Sequence, residues 1–246
     1  AVACRCFCEG WRSGTNPINN GDVAITRRIV VTGANGFVGR HLCDQLAFRG
    51  LLARAAVRTR KVALPDAVEI VEGCDLESDN SWPEALSGVD CILHCAARVH
   101  VMDDTASDPL EAFRRANVDG ALRVARIAAK AGARRFIFLS SVKVLGESTS
   151  GREPFTEADL PSPQDPYGQS KCEAEKALRE LSFETGMEVV IVRCPLVYGS
   201  GVGGNLRSLM RIADSPWPLP LGNIDNARSL IFVGNLVDFL IHVMES

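Results

Sequence analysis

Apolar residues fall in short β-branched or aliphatic runs, separated by longer stretches with helical spacing. Residues 29–31, 53–58, 68–71, 90–94, 135–139 and 189–192 read as six strands. Between them, Phe37, Leu42 and Leu46 pattern one helix. Leu110, Phe113, Val118, Leu122, Val124 and Ile127 pattern a second, over 108–131, which Gly132 closes. A short helical turn over 82–86 and a long helix over 167–185 complete the alternation. Strands separated by crossover helices predict an α/β fold with a parallel sheet.

The stretch 146–166 is rich in Pro, Ser, Asp and Glu and predicts a surface loop leading into the long helix. After Gly199 the pattern is mixed: a helix over 205–212, a Pro-rich turn, a short strand over 229–232 and a helix from Asn235 that runs on to the last residues. The expected division is a tail over 1–26, a nucleotide-binding core over 27–193, and a partial, truncated substrate-binding region over 194–246 interleaved with that core. The tail is rich in Gly, Asn and Ser and has no apolar core of a signal peptide, so disorder is expected there.

A chain of 246 residues that is 46% hydrophobic can build one large core. Its net charge of −3, with both signs interspersed, offers no field for a nucleic-acid backbone, so a small-molecule substrate is expected. No apolar run reaches the 18 or so residues that span a bilayer, and no membrane insertion is expected. The nine cysteines form no disulfide framework, which points to a reducing cytoplasm. Cys4, Cys6 and Cys8 alternate too tightly for a zinc site, and His94 and His100 lack the company of ligands, so no metal is expected.

The chemistry begins where the first strand ends. Gly33 permits a tight turn, Gly36 lets the backbone approach a pyrophosphate, and Gly39 lets the next helix pack closely on the strand. With Asn35, Phe37 and Val38 they form a candidate cradle for a dinucleotide at a helix N-terminus, in a Rossmann-type doubly wound sheet. About 130 residues later, Tyr167 and Lys171 stand four apart, on one face of the long helix. Lys171 would favour the phenolate of Tyr167, which is otherwise a poor base near neutral pH. Ser141, just past the fifth strand, would hold a substrate hydroxyl in line. Each element alone also fits a bland role, as a helix start, a surface pair or a turn cap; their combination points to nicotinamide redox chemistry.

Two further positions bear on the cofactor. Asp75, after the third strand, could accept from an adenine amino group or cap a turn. The place where an NAD site commonly carries a ribose-binding acid has Val57 and Arg58, and an arginine there would accommodate a 2′-phosphate, which keeps NADP open beside NAD. Asn117, inside a helix that it does not favour, is a candidate for ordering the catalytic face.

These residues resemble those of the extended short-chain dehydrogenases/reductases, the group of NAD-dependent nucleotide-sugar epimerases and dehydratases. The resemblance is carried by Thr32, Gly33, Gly36, Phe37 and Gly39; by Asp75 and Leu76; by His94, Ala96 and Ala97; by Asn117, Ser140, Ser141, Tyr167 and Lys171; and by Arg193 through Gly199. It extends over about residues 28–246. Ser141 to Val144 and Arg228 to Val233 look most like bacterial UDP-N-acetylhexosamine 4-epimerases and related 4-keto-6-deoxy-sugar reductases. The resemblance implies that Leu76, Ala96, Ala97, Asn117 and Pro195 join the cofactor site. It also implies that Val99, Lys143, Asn205 and Arg228 line the side of a UDP-sugar substrate. Dehydratases carry an Asp-Glu pair where this chain has Lys143 and Val144, which turns the expectation toward 4-epimerisation with bound NAD, with ketoreduction as the alternative and a non-catalytic nicotinamide-binding protein as a second. Relatives pair their two long helices across a homodimer, which is expected here too.

Overall fold

A computed structural model describes residues 28–78, 80–99, 108–214 and 228–246, without the side chain of Asn205. The expected tail and His100 lie outside the described residues.

Strands β1 (Ile29–Thr32), β2 (Ala53–Ala56), β3 (Val68–Val71), β4 (Cys91–His94), β5 (Arg135–Ser141) and β6 (Glu188–Cys194) form one sheet in the order β3-β2-β1-β4-β5-β6. Every pairing is parallel. The order reverses between β1 and β4, and a parallel sheet opens a crevice beyond the carboxyl ends of its strands at that point. The turn after β1, residues 33–36, and the loop after β4, residues 95–99, form its two lips.

Both faces of the sheet are covered, as all-parallel sheets require. On one side, Ile29, Val31, Leu93 and Ile137 pack under α1 (Phe37–Phe48) and α7 (Val233–Glu245), with Leu42, Leu46, Leu236, Val237, Leu240 and Ile241 fully buried. On the other, Val30, Ile92, Phe136 and Phe138 pack under α2 (Trp82–Ala85), α4 (Gly120–Lys130) and α5 (Pro166–Thr185). Asp165 caps α5, its carboxylate accepting from the Gly168 N–H at 2.5 Å, and Pro166 supplies a pre-set first residue.

Two departures from the sequence pattern bear on the site. The helix expected over 108–131 is three pieces: α3 (Pro109–Arg114), a π-helical turn (Arg115–Asp119) and α4. The widened turn carries Asn117. A three-residue strand missed by the pattern, β7 (Leu196–Tyr198), pairs in parallel with β8 (Leu230–Phe232). Between them lies α6 (Gly204–Ala213). Two residues per strand face outward in β7–β8, and Leu196, Tyr198, Leu230 and Phe232 are all exposed, so no sheet-like alternation of apolar and polar residues marks either segment.

Candidate active site

The first lip is built by steric necessity. Gly33 has φ +67°, and a Cβ there would lie 2.7 Å from the Ala96 nitrogen; a Cβ on Gly39 would lie 2.3 Å from the Gly33 carbonyl oxygen. These close approaches bring α1 against β1 and the β1 turn against the β4 loop. Gly36 is the N-cap of α1 and has no side-chain cap, so the helix presents its first N–H groups and its positive dipole end to the crevice. Asn35 turns away from this opening: its Nδ2 donates to the Thr59 carbonyl at 2.7 Å, and its Oδ1 accepts from the Lys61 N–H at 3.4 Å. It ties the glycine turn to the loop after β2. Arg58 in that loop is exposed and stands 4.0 Å from Asp75, so the two candidates for the adenosine end face each other. Leu76 lies against Gly120, and its carbonyl accepts from Arg123.

The second lip hangs on Thr32. Its hydroxyl accepts from the Ala96 N–H at 3.1 Å and pairs with His94 Nδ1 at 3.0 Å. The hydroxyl has one proton to give and two lone pairs, so it accommodates either tautomer of the His94 ring while accepting from Ala96. His94 is fully buried and stacks on Phe136 and Phe138 at 5.2 and 5.9 Å. Burial, reinforced by the nearby Lys171 cation, pushes its pKa down to about 3. The unfolded chain therefore binds a proton near pH 6.5 that the folded chain refuses until about pH 3, so this residue makes stability fall as pH drops through that window. At pH 5 the expected loss is about 2 kcal/mol. The His94→Asn variant, which keeps an acceptor near Nδ1, is expected to flatten the slope of urea-unfolding stability between pH 6.5 and 4; an unchanged slope would refute this.

Asn117 is buried under the same loop. Its Oδ1 accepts from the Arg98 N–H at 2.8 Å, and its Nδ2 donates to the Arg98 carbonyl at 3.1 Å and to Ser170 Oγ at 3.0 Å. Ser170 in turn donates to the Tyr167 carbonyl at 2.8 Å. Both amide protons are thus used within the protein, and whatever Asn117 does for a cofactor it does by holding the β4 loop and α5.

Tyr167 and Lys171 stand one turn apart on α5. The Tyr167 ring meets Phe113 edge-on at 6.0 Å, and the Arg98 guanidinium lies over the same Phe113 ring at 5.8 Å. Burial raises the Tyr167 phenol well above its usual value, and Cys194 and Asp165 add to the effect. Lys171 is 2% exposed; its Nζ donates to the Leu139 carbonyl at 2.9 Å and sits 4.4 Å from the Phe138 ring centroid. Burial lowers its pKa to about 8, against the opposing pull of Cys194, Cys95 and Glu175. The Leu139 carbonyl takes one of the three ammonium protons, and burial dominates the phenol.

Ser141 ends β5, two residues beyond the carbonyl that Lys171 holds. Its Oγ accepts from the Lys143 N–H at 3.3 Å, a bond that uses a lone pair and leaves the hydroxyl proton for another partner. The turn that follows (Val142–Val144) is tied to the start of α5 by an ion pair between Lys143 and Asp165, and Lys143 also reaches Glu147 at 2.8 Å. Lys143 is thus committed to two carboxylates. Pro195 links β6 to β7, half-buried. Val99 and Arg228 are exposed, on the β4 loop and just before β8, and Asn205 belongs to α6.

Sequence reasoning passed over Glu175. It is 1% exposed, four residues beyond Lys171, and receives Ser140 Oγ at 2.6 Å and two nitrogens of Arg193 at 2.6 to 3.1 Å. The signal available was the spacing of a carboxylate on the buried face of α5.

A doubly wound parallel sheet whose strand order reverses at a glycine turn and an uncapped helix N-terminus defines a dinucleotide-binding α/β protein. The narrower grouping follows from the whole chain: residues 29–246 match the NAD dependent epimerase/dehydratase family, and the chain belongs to it. It is 41% identical over 223 residues to a UDP-glucose 4-epimerase of Vibrio cholerae, covering 90% of this chain and 67% of that protein. A 28% match covers 86% of the chain and 61% of an N-acetyl-alpha-D-glucosaminyl-diphospho-ditrans,octacis-undecaprenol 4-epimerase of Escherichia coli O157:H7. The chain thus spans about two thirds of the length of these relatives. Among solved structures, MoeE5 in complex with UDP-glucuronic acid and NAD is 27% identical with a TM-score of 0.70, over 87% of this chain and 71% of that one. DesIV, a dTDP-glucose 4,6-dehydratase from Streptomyces venezuelae with NAD and TYD bound, is 25% identical with a TM-score of 0.75, over 89% and 72%.

The residues present fit NAD on structural grounds, since the close glycine approaches and the α1 N-terminus, which no side chain caps, offer amide donors to a pyrophosphate. No helix among the described residues is long and apolar enough to cross a membrane, and no group of three or more His, Cys, Asp or Glu among them is arranged to hold a metal. Among the described residues, Cys43, Cys74, Cys91, Cys95, Cys172 and Cys194 form no disulfide.

Proposed function

We propose that this chain acts as a UDP-sugar 4-epimerase that works with bound NAD. The observation that carries the reading is the placement of Tyr167 and Lys171 one turn apart on α5, with Lys171 anchored beside the end of β5 that bears Ser141. The relative named UDP-glucose 4-epimerase points to the substrate class. In this reading Gly33, Gly36, Phe37, Val38, Gly39 and the Asn35-braced turn hold the pyrophosphate. Asp75, Leu76 and Arg58 border the adenosine, and Ala96, Ala97 and Pro195 border the nicotinamide end. NAD supplies a two-electron acceptor and donor at the sugar C4.

The protein's own part is proton traffic and orientation. Tyr167 takes the C4 hydroxyl proton and gives it back after the 4-keto sugar has turned over, which restores the sugar with the opposite configuration. Ser141 donates its remaining proton to the C4 oxygen and holds it in line with the phenol. Lys171, with two ammonium protons beyond the one given to Leu139, serves the cofactor ribose, and its charge lowers the cost of phenolate. Val99, Lys143, Asn205 and Arg228 border the UDP-sugar, with Arg228 offering a cation to the diphosphate. Residues 27–193 form the cofactor core and 194–246 part of the substrate region, with α7 returning to the core face under α1. A homodimer through α3–α4 and α5, in a reducing cytoplasm, completes the reading.

The first test is the nicotinamide released when the purified full-length protein is denatured. Near-stoichiometric NAD is expected, because an epimerase regenerates its cofactor within each turnover. Recovery of a protein that is empty and prefers NADPH would overturn it in favour of a 4-ketoreductase, the reading that Arg58 beside the adenosine site would then support.

A further inference from the structure

We propose that Glu175 is a positioning residue that sets α5 in register with the end of β5, and so aligns Tyr167 and Lys171 with Ser141. The inference rests on the catalytic reading above. Lys171 and Glu175 lie four residues apart on one face of α5 and hold successive residues of β5: Lys171 the carbonyl of Leu139 at 2.9 Å, Glu175 the hydroxyl of Ser140 at 2.6 Å. The residue after these is Ser141. All three side chains, Lys171, Glu175 and Ser140, are at most 2% exposed.

The two anchors are not equivalent. In the catalytic reading the Lys171 ammonium, with three protons, also serves the phenol and the cofactor, whereas the Ser140–Glu175 bond takes no part in the chemistry and ties this face of α5 to the β5 end. Glu175 is held rigid for that task. Arg193, the β6 partner of Ser140 in register, forks onto both its oxygens at 2.6 to 3.1 Å, and Arg179 approaches at 3.8 Å. A charged acceptor with a short hydroxyl bond is among the stronger and more directional contacts a protein makes. Sliding α5 by a single residue's rise, about 1.5 Å, would break it. A purely structural ion pair would need Arg193 alone; the hydroxyl of Ser140 ties that pair to the strand end where the chemistry occurs.

The test uses full-length protein loaded with NAD, with carbon-13 at the tyrosine ring carbon that bears oxygen and the Tyr167 resonance assigned by its loss in Tyr167→Phe. Ser140→Ala removes the tie and keeps the ion pair. Glu175→Leu with Arg193→Met removes both charges together, avoiding an unpaired buried cation, and such exchanges commonly leave a fold intact. In both, the Tyr167 titration midpoint is expected to rise by about one pH unit, a tenfold loss in ease of proton release. Turnover is expected to fall about tenfold to a hundredfold with KM for UDP-glucose little changed. Folded variants with an unmoved midpoint and unmoved kcat would overturn the inference. A parent protein whose Tyr167 midpoint stays as high with NAD as without it would instead overturn the Tyr167–Lys171 reading, and the inference with it.

Discussion

Replacing Tyr167 by Phe is expected to lower kcat for UDP-sugar epimerisation by about a hundredfold to ten-thousandfold, the range that a positioned acid–base group contributes. That is about 3 to 5 kcal/mol of barrier. The change removes one oxygen and keeps the ring, so the edge-on contact with Phe113 at 6.0 Å and the helix face survive. Melting temperature and NAD content are therefore expected to stay near those of the parent, and KM to change little. The rate should also lose its dependence on the phenol's ionisation. Burial pushes the phenol up, so the parent's rate is expected to rise with pH as the phenol gives up its proton, and the variant's to lack that rise. A variant with more than about a tenth of parental kcat would show that another group or a water carries the proton.

Gly39→Ala is expected to have the other large effect, and in the opposite direction to helix propensity. Alanine inside a helix is favoured over glycine by about 1 kcal/mol, so a local argument makes α1 more stable. The tertiary structure reverses that sign. The added methyl would lie 2.3 Å from the Gly33 carbonyl oxygen and 2.8 to 2.9 Å from its neighbours, all backbone atoms that cannot rotate away. The helix must back off by the better part of an ångström, which loosens Leu42 and Leu46 from the sheet and re-aims the α1 N-terminus. NAD affinity is expected to fall at least about a hundredfold, as happens when a binding geometry is displaced by about 1 Å. Stability is expected to drop by about 1–3 kcal/mol. Isothermal titration with NAD, alongside thermal melting, reads both; parental affinity would refute the close-packing argument.

Much of this was legible along the chain because it depends on neighbours in sequence. Strand runs, helix faces and the glycine spacing follow local rules, and six strands and the long helices lie within a few residues of where the pattern puts them. The four-residue spacing that sets Tyr167 and Lys171 on one face is a property of any α-helix. The π-helical turn around Asn117 was not legible, because nothing in Arg115–Asp119 disfavours ordinary helix enough to demand it. It exists where Asn117 clamps Arg98, 19 residues away, and Ser170, 53 away. The short parallel pair β7–β8 was half lost for a similar reason: its outward residues are as apolar as its inward ones.

By itself, then, the sequence determined the alternating α/β plan, the glycine turn and the residues that could exchange a proton, since each follows from periodicity, φ/ψ preference and intrinsic chemistry. The tertiary structure alone decided which charges meet and what they do to each other. Glu175 finds Ser140 35 residues back and Arg193 18 residues on; Lys171 donates to the Leu139 carbonyl; burial beside two phenylalanines and Lys171 lowers the pKa of His94. The physical reason is that burial and electrostatic pairing depend on distance in space. A chain read in one dimension carries the groups, and only the packed sheet and helices set their dielectric and their partners.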